Sequence, residues 1–222
     1  PGPWGSWTTL AFAGRLRARE WLGSSATHAM SNFGGGAILA GQILEVEAAP
    51  AHGFSSANLG APDGPSTQAL RVVLGPQDRH FAPATVASLF ARPFRLTDAY
   101  DRMGVRLAGP DLTPASSLDM PSEALLRGSI QVAGDGVGTV MLSDHGTTGG
   151  YPKIATLISS DVDRLVQRRA GDEILFAQVT PTQAVAIARG EAEARRRAAR
   201  PSAADLAAAL LSENLISGAV SG

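Results

Sequence analysis

The sequence predicts a mostly β protein, a barrel or sandwich with helical additions. Three observations predict it. Short apolar or alternating runs recur between residues 70 and 180, at strand rather than helix length. Gly, Pro and Asp punctuate them, as in Gly75-Pro76 and Gly134-Asp-Gly136. Helical signals are few, and the strongest fall in the tail.

The elements follow in order. Residues 8–13 read as a strand, and the alternating Gln42-Ile-Leu-Glu-Val-Glu47 as another. Residues 48–67 are rich in Pro, Gly and Ser and lack periodicity, so they read as a linker. The expected organisation is a partial N-terminal β-subdomain over 1–47, this linker, and a barrel with C-terminal helices over 68–222. Residues 70–74 form a strand ended by Gly75-Pro76, and 83–90 a short helix with Pro in its first turn. Strands follow at 94–97 and 104–107, then a polar, Pro-rich loop over 109–122. Residues 125–132 and 139–143 make a hairpin through Gly134-Asp-Gly136. Residues 144–153 are a Gly/Thr-rich loop, and 154–159 a strand. Ser160-Asp-Val-Asp163 reads as the cap of a helix to 168, and 174–179 as the last strand. Helices are expected over 181–199 and from 201 to 214, the first carrying an Arg run at 195–197. That run reads as a solvated face with Glu–Arg pairs.

The chain has 222 residues, 44% of them apolar, enough to bury a core. Its formal net charge of -1 gives no global field to hold a polyanion, so no nucleic-acid partner is expected. There is no Cys, which removes disulfides, thiolate nucleophiles and Cys-based metal sites and suits a cytoplasmic setting. The four His share no metal-ligand spacing, so no metal site is expected. No apolar run reaches the roughly 18–20 residues of a membrane span, and the N-terminus lacks the pattern of a signal peptide.

Of the 19 basic residues, 18 are Arg and one, Lys153, is Lys. A compact ammonium kept in so Arg-rich a chain reads either as a place where the planar guanidinium does not serve or as chance in a biased composition. Lys153 ends the loop Asp144-His-Gly-Thr-Thr-Gly-Gly-Tyr-Pro-Lys153. Gly149 and Gly150 let a ligand approach the backbone, and their N–H groups with the Thr147 and Thr148 hydroxyls could form an anion nest. Tyr151 offers a phenol. Asp144 could orient or deprotonate a neighbour, or pair with Lys153. Such a donor-rich loop suits a carboxylate, carbamate or amide that develops negative charge. Lys153, Tyr151 and Asp144 are the candidate catalytic residues. Thr147, Thr148, Gly149, Gly150, Arg102 and Gln131 are the candidate substrate-binding ones. Asp101-Arg102 reads either as a carboxylate clamp or as a structural ion pair. Gln131 reads either as core-edge or as ligand-facing. A P-loop and a serine-hydrolase elbow are absent.

Thr147-Thr-Gly-Gly-Tyr-Pro-Lys-Ile-Ala155 resembles the signature of the biotin-dependent carboxyltransferase-like family. That family includes the C subunit of 5-oxoprolinase, allophanate hydrolase subunit 2 and the carboxyltransferase part of urea carboxylase. Gly75-Pro-Gln77, Asp101-Arg-Met-Gly-Val-Arg-Leu107, Gly128-Ser-Ile-Gln-Val132 and the stretch 161–171 match it too. The family usually reads Asp-Arg-Gln before Thr-Thr, whereas this chain has Asp144-His145-Gly146, so an Arg is missing beside the site. The family also carries a further N-terminal β-region that this sequence is expected to lack. The resemblance implies cyclophilin-like barrels and a site completed by a partner of the same family, like the B subunit of 5-oxoprolinase, with a third chain like its A subunit. It implies work on a small amide: opening 5-oxoproline to glutamate with ATP, or moving CO₂ from carboxybiotin to urea. A non-catalytic Kip-type role, binding the inhibitor of a sensor kinase, is the third reading. ATP or biotin would come through partner subunits, because no biotin-accepting Lys or nucleotide loop is apparent here.

Overall fold

The structure, a computed structural model, describes residues 5–10, 12, 14–28, 31–48, 67–115 and 120–198. In chain order the strands are β1 (Gly14–Leu16), β2 (Val46–Ala48), β3 (Leu70–Leu74), β4 (Phe94–Tyr100), β5 (Gly104–Ala108), β6 (Glu123–Ala124), β7 (Ser129–Val132), β8 (Gly138–Met141), β9 (Thr148–Gly149), β10 (Lys153–Leu157), β11 (Glu173–Ile174) and β12 (Phe176–Gln178). The helices are α1 (Pro83–Ala91), α2 (Ser159–Leu165) and α3 (Pro181–Ala198).

Eight strands form one sheet in the order β11-β4-β5-β8-β7-β10-β3-β12. Its two edges, β11 and β12, are successive pieces of one extended segment broken at Leu175. β11 pairs antiparallel with β4, while β12 runs parallel to β3. The Leu70 N–H donates to the Leu175 carbonyl at 2.7 Å, so the segment bridges both edges and nearly closes the sheet into a barrel. Closure leaves little free edge. Phe94 and Phe176 meet across this seam with ring centroids 5.6 Å apart. Inward residues from the strands, including Val72, Leu96, Val105, Ile130, Val140 and Ala155, fill the interior. The predicted mostly β class is therefore present.

Several boundaries differ from the sequence reading. Among the described residues of 8–13 there is no strand: Leu10 and Phe12 are exposed and no neighbouring edge pairs with them. The stretch 42–47 contributes only to β2, which pairs with β1 in a two-stranded ribbon outside the barrel. Of the stretch 125–132 only Ser129–Val132 is strand, as β7 in the barrel, while β6 precedes the stretch and pairs with β9 inside the supposed loop. β10 begins at Lys153, so that residue is a strand residue rather than a loop one. The linker 48–67, apart from its ends, and the helix expected from 201 to 214 lie outside the described residues. Arg195, Arg196 and Arg197 are exposed on α3.

Asp161 corrects the capping reading of α2. No side chain caps that helix. The Asp161 carboxylate is fully buried and accepts hydrogen bonds from Arg71 Nη2 at 2.6 Å, Arg71 Nε at 2.9 Å and Arg164 Nη1 at 3.0 Å. The network ties α2 to β3. Burial pushes the Asp161 carboxyl up, but the hydrogen bonds from Arg71 and Arg164 outweigh it and hold it below the usual carboxylate range. A depressed folded-state value gives stability that is present above the ordinary carboxylate value and lost as pH falls through the folded one. Asp161→Asn should therefore cost about 3 kcal/mol near neutral pH and reduce the loss of stability below about pH 4, as read by urea unfolding across pH. An unchanged acid limb would contradict this.

Candidate functional site

Gly75-Pro76-Gln77 leaves β3 and folds back along β10. The Gln77 N–H donates to the Lys153 carbonyl at 3.1 Å, and the Lys153 N–H donates to Gln77 Oε1 at 2.9 Å. Gln77 is 1% exposed, so its amide is a fixed part of the wall. On the other side Lys153 stands opposite Gln131 of β7. One extra β10 residue follows before Ala155 pairs with Ile130, a bulge of the kind that re-aims side chains beside functional sites.

Lys153 is 1% exposed. Its Nζ is buried and has no hydrogen-bond partner among the described residues. The nearest carboxylate is Glu123 Oε2 at 3.7 Å, too far for a hydrogen bond. The same Oε2 accepts a short hydrogen bond from Gln77 Nε2. A buried ammonium with three donors and no acceptor is costly unless something else supplies the acceptor.

The Gly/Thr-rich loop builds the rim. Thr148 and Gly149 form β9, with Gly149 opposite Glu123 and Thr148 opposite Ala124. The Thr147 carbonyl accepts the Leu125 N–H at 3.0 Å. These contacts carry Glu123 over Lys153. A Cβ on Gly149 would stand 2.6 Å from Gln131 Nε2 and 2.9 Å from Leu125 Cδ1, so glycine is needed there for close approach. Gln131 Nε2 donates to the Tyr151 carbonyl at 3.2 Å, and the Tyr151 ring is half exposed at the rim. Gly150 lies near Ser122 and Met120.

The candidates thus divide. Lys153, Gln131, Gly149, Gly150 and Tyr151 gather in one place, with Thr147 and Thr148 bracing it. Asp144 and Arg102 gather in another. Arg102 Nη2 donates to Asp144 Oδ1 at 2.9 Å and Arg102 Nη1 to the Thr27 carbonyl at 2.9 Å. Both line a cavity of about 410 Å³ with Ser6, Trp7, His28, Tyr100, Asp101 and Met103. Asp144 therefore pairs with Arg102, and the carboxylate facing Lys153 is Glu123. Gln77 and Glu123 escaped the sequence reading. Gln77 lies in the matching Gly75-Pro-Gln77 block, where Gly-Pro reads as a strand stop. Glu123 has no signal of its own.

Lys153→Met, which keeps shape and removes the amine, should leave the melting temperature unchanged or raised, because a buried group without an acceptor is replaced by an apolar one. Lys153→Ala should cost about 2–4 kcal/mol through the cavity it leaves. Thermal unfolding of both variants decides this. A loss above about 2 kcal/mol in Lys153→Met would make the amine a structural element.

A family model described as carboxyltransferase domain, subdomain A and B, matches residues 1–178. The chain is similar to the C subunit of 5-oxoprolinase from Escherichia coli (strain K12), at 34% identity over 116 residues, 52% of this chain and 37% of that protein. Among solved structures, TTHA0988 superposes with a TM-score of 0.58 at 33% identity, over 74% of this chain and 32% of that one. Kluyveromyces lactis urea carboxylase shares the fold, with a TM-score of 0.68 at 23% identity over 87% of this chain and 20% of that one. The chain spans about a third of the first two. With the family model covering β1 to β12, and so both the barrel and the strand that carries Lys153, the chain belongs to the carboxyltransferase domain family, subdomains A and B.

Proposed function

We propose that this chain is one subunit of an ATP-dependent 5-oxoprolinase-type complex that opens a small cyclic amide, 5-oxoproline to glutamate, in a site that a partner of the same family completes. The observation that carries this reading is the buried Lys153 Nζ without an acceptor, in a wall built from the family's own sequence blocks. The similarity to the 5-oxoprolinase C subunit supports the choice of substrate. In the same reading residues 1–47 belong to a second, partial β-subdomain, and the setting is cytoplasmic.

The chemistry asked of this chain is limited. Water adds to the lactam carbonyl and the C–N bond opens, leaving a carboxylate and an amine. As the carbonyl carbon is attacked, negative charge grows on its oxygen. Lys153 Nζ can donate to that oxygen, or to the substrate carboxylate, from a site where competing water is excluded. Gln77 and Gln131 fix the backbone around it. Tyr151 and the β6–β9 edge form the mouth. The partner subunits supply the nucleotide chemistry. Covalent biotin does not fit this chain, because its one Lys is buried at 1% exposure and cannot serve as an accessible carrier. A second reading, carboxyl transfer to urea or a related amide, is supported by the description of the matching family. In it a partner carries biotin.

The test is reconstitution with the partner subunits. The assembled complex should convert 5-oxoproline to glutamate with ATP consumption, and the isolated chain should do neither. Lys153→Ala and Lys153→Arg should each cut turnover by at least roughly a hundredfold, about 2.7 kcal/mol. Near-normal turnover in Lys153→Arg, or full turnover by the isolated chain, would contradict the proposal. Carboxylation of urea with a biotin-carrying partner, and no lactam opening, would select the second reading.

A further inference from the structure

Glu123 is the one carboxylate within 4.0 Å of Lys153 Nζ among the described residues, yet the pair is unlike a finished salt bridge. The lysine end is sealed, at 1% side-chain exposure, while the glutamate end is at 45%. Their 3.7 Å separation leaves the ammonium donors unspent, since a charge-assisted N–H···O bond closes to about 2.7–2.9 Å. Among the described residues the one hydrogen bond that Glu123 Oε2 takes comes from Gln77 Nε2, itself part of the buried wall. The strand that holds Glu123 is two residues long and among the described residues pairs only with β9. The carboxylate is therefore held by one amide hydrogen bond and a loose ion pair, and at 45% exposure it has an open path to water.

We infer that Lys153 Nζ and Gln77 Nε2 form a seat for a ligand carboxylate, and that Glu123 is a displaceable internal stand-in for it. The inference rests on the proposed function for the identity of the ligand, but the seat itself is defined by the donors. Two donors converge on one oxygen position. The amide is pinned by its Oε1 bond to the Lys153 N–H, and the amine is pinned by burial. An arriving carboxylate can take both donors at hydrogen-bond distance while Glu123 swings outward, where an exposed carboxylate is well hydrated. Gly149 keeps the space beside Gln131 clear, because a side chain there would collide with the Gln131 amide. The ligand class is a small carboxylate whose neighbouring amide reaches the mouth beside Tyr151, which describes 5-oxoproline. Glu123 then lowers the apparent affinity of every carboxylate by the same factor, set by the fraction of time that it leaves the seat open.

The chain's single Lys makes the test direct, because [13Cε]lysine gives one side-chain signal that needs no assignment. The full chain is titrated with 5-oxoproline and, separately, with acetate, as wild type, Glu123→Ala and Glu123→Gln. The expected result is a saturable shift of the Lys153 signal with both anions and an affinity at least about threefold tighter in both variants. Unchanged or weaker affinity in both variants would overturn the stand-in role. A signal that moves with neither anion in any form would overturn the seat. A shift with acetate but not with 5-oxoproline would uphold the seat and remove the lactam as its ligand. Binding of 5-oxoproline without turnover in the reconstituted complex would leave the seat standing and sink the catalytic reading instead.

Discussion

Gln77 grips the backbone of Lys153 from two directions, its main-chain N–H on the carbonyl and its side-chain Oε1 on the N–H. The rest of the site depends on this double contact. It replaces a strand partner where β3 has already ended, so β10 can begin at Lys153 without leaving polar backbone bare inside the wall. It also spends one half of the Gln77 amide and aims the other half at Glu123. Without it the lysine would be an ordinary loop residue with its amine in water. With it the amine is held inside, and its acceptors must come from elsewhere.

The barrel supplies the rigidity that such a position needs. Closure by β11 and β12 leaves the β7–β10–β3 wall with neighbours on every side, and the β10 bulge adds the turn that aims Lys153. The Arg71–Asp161–Arg164 network locks α2 to β3 of the same wall. The rim has the opposite character. β6 and β9 are two residues each, and Glu123 and Tyr151 stand partly in solvent. A stiff wall carrying a short, exposed rim is an arrangement in which a ligand can enter and one side chain can leave.

Much of the barrel was legible in the sequence. Leu-Arg-Val-Val-Leu, Gly-Val-Arg-Leu and the Gly134-Asp-Gly136 hairpin carry their own turn and burial signals, and these segments lie where they were expected. The family was legible too, from the Thr-Thr-Gly-Gly-Tyr-Pro-Lys block. The N-terminal stretch was not: Leu10 and Phe12 within 8–13 suggest a strand by composition, but a strand exists only where an edge pairs with it. The burial of Lys153 was hidden for a related reason. A Gly-rich loop reads as exposed, and only the return of Gln77 from β3, some seventy residues earlier in the chain, closes the wall over it. Glu123 was invisible because a lone carboxylate at a loop end carries no periodic signal. Asp144, which does precede the block closely in the sequence, pairs instead with the distant Arg102, and the two line the cavity beside Trp7.

The described part of the folded chain does not itself satisfy the Lys153 amine. A double-mutant cycle between Lys153→Met and Glu123→Gln, read by urea unfolding, measures this directly. The expected coupling is below about 1 kcal/mol, because the 3.7 Å pair lacks a hydrogen bond and one end is open to solvent. A coupling above about 3 kcal/mol would show a finished buried salt bridge, with no acceptor left for a ligand to supply.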